Sequence, residues 1–275
     1  MADSSMPQLW ETAVFPIASA QRRRLPDRLV GRLPAVPAWC NVCGRASILR
    51  RKGHNYRETL RCLKCGAINR HRQVAHVVTQ GINPRYQSLS KLALELPLAV
   101  YNTESKGAIH ETLMAMAGYT CSEFFSPDAE PGSLVNGVMH QDLMRLSFRD
   151  GSFDLVISGE VFEHIPEPYR AHAELHRVLR PGGRHVFSVP FYADHFRDEV
   201  RAVPDSIGRP EFLMDPIYHD DPVNPVPGAL VYTIFSIEML TKLDAIGFHT
   251  NLYHLYNPRL GIFGSNAFIF EAIKR

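Results

Sequence analysis

The stretch that most constrains this chain is FDLVISGEVFEHIPEPYRAHAELHRVLRPGGRHVFSVPF, residues 153–191. Its two ends, 153–159 and 184–191, are apolar through their centres rather than alternating, the pattern of strands covered on both faces. Between them, PYRAHAELHRVLR (168–180) places Ala171, Leu175, Val178 and Leu179 on one face at helical spacing. Pro181-Gly182-Gly183 stops that helix, with glycine expected as a left-handed cap. Strand, helix and strand in this order belong to a parallel α/β sheet.

The same alternation runs through residues 98–275. LAVYNT (98–103) reads as a buried strand and AIHETLMAMA (108–117) as a helix carrying Ile109, Leu113 and Met116 on one face. YTCSEFF (119–125) is a second strand and LVNGVMH (134–140) a short third one. SIEMLTKLDAIGF (236–248) is a helix with Ser236 as N-cap and Gly247 as its stop. HTNLYHLY (249–256) and NAFIFEAIK (266–274) form a closing hairpin. The fold class expected is α/β, a doubly wound, Rossmann-like sheet, over residues 98–275. Residues 192–230 break the rhythm; rich in Pro, Asp and His, they read as an insertion that covers the site. No run of about 18 apolar residues exists, so a membrane-spanning helix is not expected. No secretory signal is legible at the N-terminus, and a cytoplasmic location is the default expectation.

Ahead of the sheet, residues 1–38 read as an arm that Trp10 and Phe15 pin to the body, 39–75 as a cysteine module and 76–97 as a connector. Cys40-x2-Cys43 and Cys62-x2-Cys65 have the spacing of a four-cysteine zinc site, in which two tight turns aim paired thiolates at one ion. Such a closed site predicts a structural Zn2+; the alternative is four reduced, partly buried thiols. Residues 1–75 hold 14 Lys and Arg against 4 Asp and Glu, whereas the whole chain holds 30 against 28. A basic head on an acidic body fits an anionic partner, nucleic acid included, or a solvated basic surface.

Residues 141–191 resemble the class I S-adenosylmethionine-dependent methyltransferases, through the FDLV strand, the EHI turn and the RVLRPGG helix end. The resemblance implies S-adenosyl-L-methionine as cofactor, lying across the carboxyl ends of the parallel strands. It assigns Glu123, at the end of the second strand, to the ribose hydroxyls, and Asp142 with Leu143 to the adenine. Glu160 would border the methionine end. Read without the resemblance, Glu123 is an exposed strand-end acid and Asp142 a turn cap. The first loop departs from the family pattern of an acid followed by glycines at alternate positions. In VYNTESKG, Tyr101 replaces the acid, Thr103 and Ser105 replace the first two glycines, and Gly107 alone remains. Thr103, Glu104 and Ser105 then supply side-chain hydrogen bonds to the cofactor, or the site has lost it.

Methyl transfer to a hydroxyl needs a proton acceptor, for which His is suited near neutral pH. The insertion offers His195, Tyr218 and His219, with Asp220 or Asp221 to orient the His219 ring; His164 is a second choice of base. The polar insertion favours a small-molecule acceptor, a sugar or secondary metabolite. The alternatives are an RNA methyltransferase gripping its substrate with the basic zinc ribbon, and a non-catalytic scaffold with a degenerate cofactor site.

Overall fold

The computed structural model describes residues 33–275 apart from 54, 221–225 and 265–266, so the arm residues Trp10 and Phe15, and Asp221, lie outside the described residues. The chain divides into two compact units: residues up to Glu95 together with Asn251–Phe270, and Leu96–Thr250 together with Glu271–Arg275. Residues 251–270, which the sequence pattern assigns to the sheet domain, thus pack with the N-terminal unit. Among the described residues no helix is long and apolar enough to cross a membrane.

The N-terminal unit opens with three antiparallel strands, β1 (Ala35–Cys40), β2 (Arg45–Arg50) and β3 (Arg61–Cys62), in that order. Two helices follow, α1 (Asn69–Ile82) and α2 (Leu89–Glu95). Arg70, His71 and Arg72 lie on α1, and Arg72 is fully buried. Its guanidinium donates to the carbonyls of Ala67, at 2.8 Å, and Gly261, at 3.0 Å. Burial draws its pKa down to about 10, opposed by the nearby cysteine sulfurs.

The second unit is built on the expected parallel strands: β4 (Val100–Asn102), β5 (Tyr119–Cys121), β8 (Phe153–Gly159) and β9 (Leu179–Ser188). β4 lies between β5 and β8, parallel to both, and β8 is parallel to β9. β18 (Phe268–Lys274) and β17 (Phe248–His254) complete the order β5-β4-β8-β9-β18-β17. From β4 the chain winds one way to β5 and then returns to β8 on the other side. The switch point, where open α/β sheets bind ligands, therefore lies between the carboxyl ends of β4 and β8. Helices α3 (Gly107–Leu113), α4 (Pro168–Val178) and α5 (Glu238–Ile246) bury the apolar faces read from the sequence, with Leu113, Leu175 and Leu243 fully covered.

Three expectations are corrected. LVNGVMH does not become a third sheet strand; it folds back as a hairpin, β6 (Leu134–Val135) and β7 (Val138–Met139). The cause is Asn136-Gly137, both at positive φ (52° and 80°), the dipeptide that favours a two-residue hairpin turn. Only a parallel bridge from Glu123 to His140 occupies the third-strand position. The PGG run does not cap α4, because Leu179, the residue after the helix, is already extended. Arg180 precedes a proline, which disfavours helical backbone, and residues 180–183 form a bulge within β9. Ser236 stands one position before the formal N-cap Ile237, and its hydroxyl accepts the Glu238 amide at 3.2 Å. Gly247 ends α5 in left-handed conformation, φ 115°, as expected.

The insertion is ordered as small ribbons: β10 (Phe191–Tyr192), β11 (Glu199–Val200), β12 (Ala202–Pro204), β13 (Pro210–Phe212), β14 (Tyr218–His219), β15 (Ala229–Leu230) and β16 (Thr233–Ser236). β16 joins β10 and β11, while β12 pairs with β13 and β14 with β15.

Beneath it lies a buried aromatic cluster. His172 stacks on Phe162 at 4.0 Å, and His185 stacks on Phe187 at 4.4 Å. Both histidines are fully buried, and burial holds His172 down at about 3 and His185 well below its ordinary value. With a folded pKa below the unfolded value, each ring takes up a proton on unfolding that it refuses when folded. For His172 stability is full above about pH 6.5 and falls as the pH drops toward 3, by about 1.4 kcal/mol per pH unit, and His185 acts in the same direction. His172→Leu should remove about one ring's share of that slope in urea unfolding between pH 6 and 4; an unchanged slope would show that His172 already carries its proton in the fold.

Candidate functional site

Three groups of chemistry-bearing side chains stand out. In the N-terminal unit the two knuckles bring Cys40, Cys43, Cys62 and Cys65 together, with all four sulfurs within 4.8 Å of one another. Cys40 Sγ and Cys65 Sγ are 3.7 Å apart, close to the roughly 3.8 Å edge of a tetrahedron with zinc–sulfur bonds of about 2.3 Å. The turns are fixed by backbone bonds from Gly44 to Cys40 and from Gly66 to Cys62, at 2.8 and 2.9 Å. The hydrogen bond from Cys65 pulls the Cys40 thiol down to about 5, while the same bond pushes Cys65 up and burial pushes Cys43 up to about 11, so without an ion the negative charge gathers on Cys40. The donor set fits a tetrahedral ion such as Zn2+.

At the switch point of the second unit, the altered first loop is tied to the second strand. Glu123 Oε1 accepts from both the Ser105 amide, at 2.8 Å, and the Ser105 hydroxyl, at 2.9 Å. The Asn102 amide group donates to the carbonyl of Glu104 and to the Tyr119 hydroxyl, at 2.8 and 3.0 Å. The Thr103 amide bonds the Ile157 carbonyl of β8, yet its buried Oγ1 meets no partner. Ser188 Oγ, at the end of β9, is likewise buried without a partner. Gly107 opens α3 at φ 87°. Glu160, just past β8, is held at φ 59°, a conformation that costs a non-glycine residue of the order of 1 kcal/mol and gathers at ligand sites. Buried hydroxyls left open at strand ends are an arrangement that a polar ligand completes.

Two positions differ from the simplest reading. Tyr101, standing where the family has an acid, is fully buried; it bonds Ser122 at 2.7 Å and stacks on Phe153 at 5.4 Å, so it serves the core. Asp142 Oδ1 accepts the Met144 amide at 2.8 Å, the turn-cap role open to it from sequence, with buried Leu143 beside it. The Glu123–His140 bridge nevertheless brings this turn alongside the carboxyl end of β5.

The third group joins the EHI turn to the insertion. Glu163, fully buried, and His164 lie on the short 3-10 turn Phe162–His164, and β14 carries His219 to them. Glu163 Oε1 is 3.6 Å from His164 Nε2 and 3.7 Å from His219 Nδ1. His164 Nδ1 meets the Leu230 carbonyl at 2.9 Å, and the two imidazoles cross edge to face at 5.0 Å. The residue facing His219 Nδ1 is therefore Glu163, distant in sequence, where Asp220 or Asp221 was expected. Tyr218 alternates outward and is exposed, and the exposed His195 pairs with its neighbour Asp194 at 3.0 Å.

A family profile described as a methyltransferase domain matches residues 115–187, from the end of α3 through the core of β9. Residues 115–187 thus carry the pattern of a methyltransferase domain. In sequence it is similar to a Mycobacterium marinum methyltransferase, 28% identical over 130 residues, covering 47% of this chain and 49% of the relative. A methyltransferase from Mycobacterium sp. strain KMS is 45% identical over 51 residues, 18% of this chain and 20% of the relative. The chain thus matches about half the length of the first of these relatives and a fifth of the second. Among solved structures, an S-adenosylmethionine-dependent methyltransferase from Mesorhizobium loti aligns over 65% of this chain and 91% of its own, with TM-score 0.40 and 18% identity. Thr103, Ser105 and Glu160 follow the carboxyl ends of the two strands that flank the switch point, and Glu123 is bonded to Ser105.

Proposed function

We propose that the protein is an S-adenosylmethionine-dependent methyltransferase acting on a hydroxyl-bearing small molecule. The observation that carries this reading is the Ser105–Glu123 clamp. A loop stripped of two glycines is still fixed at the switch point, by an acid at the position that the family resemblance gives to the ribose. Thr103, Glu104, Ser105 and Gly107 would line the amino-acid end of the cofactor, Glu123 the ribose, Asp142 and Leu143 the adenine, and Glu160 the edge nearest the sulfur. Bound S-adenosylmethionine supplies the methyl group for in-line displacement. His219 takes the acceptor's proton, Glu163 and His164 lie against its ring, and Tyr218 precedes it on the β14 strand of the insertion. Zn2+ on Cys40, Cys43, Cys62 and Cys65 holds the ribbon and takes no part in transfer, since four protein ligands close its coordination.

His219→Ala should slow methyl incorporation from labelled S-adenosylmethionine into a hydroxyl acceptor by about 100-fold or more while leaving S-adenosylhomocysteine affinity nearly unchanged. Unchanged incorporation would remove His219 from the chemistry. A second reading, an RNA methyltransferase, is favoured by one feature: the half-exposed Trp39 on β1, opposite a basic β2 that carries Arg45 and Arg50. Salt-sensitive RNA binding lost in Trp39→Ala would support it, and no binding at low salt would reject it.

A further inference from the structure

We propose that Glu163, His164 and His219 form a second metal site, one that takes a divalent cation with nitrogen and oxygen ligands. One atom from each residue lies within 4.8 Å of the other two. The two separations from Glu163 Oε1, 3.6 and 3.7 Å, are close to the roughly 3.4 Å between ligand atoms of a tetrahedral ion with bonds of about 2.1 Å. Contraction by a few tenths of an ångström would bring these two separations to that value.

The hydrogen bonding points the same way. His164 Nδ1 lies 2.9 Å from the Leu230 carbonyl, which can only accept, so Nδ1 carries the proton. In the neutral ring Nε2 then presents a lone pair, and it does so toward a carboxylate oxygen. Acceptor faces acceptor unless a positive charge stands between them. A backbone carbonyl that fixes the tautomer and turns the other nitrogen inward is the outer-shell arrangement of metal-bound histidines. Protonation is the other way to supply the charge. That way takes one imidazolium, His164, since a neutral His219 can donate from Nδ1 to Glu163. One divalent ion satisfies all three groups at once.

Two histidines and one carboxylate leave coordination positions open, unlike the four-cysteine site. His219 is part-exposed, so those positions are reachable from solvent. An acceptor hydroxyl bound at such an ion would lose its proton to water more readily, and with the ion bound His219 would be a ligand in place of the base role proposed for it above. Only this use of the ion rests on the transferase reading; binding of the ion does not.

The test is electron paramagnetic resonance titration of the full, zinc-loaded chain with Mn2+, an ion that prefers nitrogen and oxygen ligands and competes poorly for thiolates. One Mn2+ per chain with Kd below about 100 µM is expected, weakened about tenfold or more in His219→Ala and in His164→Ala but not in the exposed control His249→Ala. His219→Gln, which keeps a polar side chain, checks that any loss is not a folding defect; circular dichroism should match the parent, with Mn2+ affinity reduced. No binding up to about 1 mM, or binding that both histidine variants leave intact, overturns the site. Calorimetry with S-adenosylhomocysteine on the same preparation separates the two proposals: cofactor binding without Mn2+ binding removes the ion alone, and Mn2+ binding without cofactor binding removes the transferase alone.

Discussion

Glu123→Ala should weaken S-adenosylhomocysteine binding about 100-fold, the loss expected for two hydrogen bonds to a charged carboxylate. The carboxylate is given two tasks. Oε1 holds the Ser105 amide and hydroxyl, and Oε2 is left for the ribose. Glu123→Gln separates them. Its carbonyl still accepts from Ser105, so the loop stays in place, but the negative charge facing the ribose is gone. The account therefore expects an intermediate loss of about tenfold for Gln, with Ala worse. If Glu123 were only a loop clamp, Gln would bind as well as Glu; if it were an idle strand-end acid, neither change would matter. Calorimetric titration of the three proteins reads all of these outcomes.

Removing the ion from the cysteine cluster should unfold the ribbon. Binding of a structural zinc is worth of the order of 10 kcal/mol near neutral pH, more than the few backbone bonds that tie the knuckles to the rest of the unit, such as Leu89 to Asn41 and Ser90 to Val42, supply. Arg72 adds to the dependence. It is buried near four sulfurs whose negative charge offsets its own, and it would lose that compensation if the thiols reprotonated. The expected result is one zinc per chain by elemental analysis, and, on chelation, loss of amide protection at Gly44 and Gly66, whose bonds to Cys40 and Cys62 close the two turns. Retained protection in the metal-free protein would mean that the thiols alone build the ribbon.

How much of this was legible in the sequence varies by element. β8, α4 and β9 were plain because a doubly covered strand and a one-faced helix leave opposite periodicities, and those periodicities survive in one sequence. The third strand misled because LVNGVMH is apolar enough for a strand, while Asn136-Gly137 at its centre is a stronger hairpin signal than the flanking residues are a strand signal. PGG misled because glycine after a helix suggests a cap, whereas Pro181 had already forced Arg180 out of helical backbone. The cysteines could be paired from spacing alone, because a zinc knuckle is local. The Glu163–His164–His219 cluster could not. His164 and His219 are 55 positions apart, and only the β14–β15 ribbon, which sets His219 against Ala229 and brings Leu230 to His164, joins them. The acid beside His164 in FEHI was the one local hint. Tyr101 shows the converse: judged against the family loop it is a defect, but in the fold it is a core residue that leaves the loop to Thr103, Ser105 and Glu123.

The central claim is that a nucleoside cofactor seats at the carboxyl ends of β4, β5 and β8 despite the substituted glycine loop. A crystal structure of the protein grown with S-adenosylhomocysteine tests it most directly. The account predicts the ribose hydroxyls on the Glu123 carboxylate, the adenine beside Asp142 and Leu143, and a partner for Thr103 Oγ1. Crystals grown at saturating S-adenosylhomocysteine in which the Ser105–Glu123 contact closes over an empty switch point would contradict it.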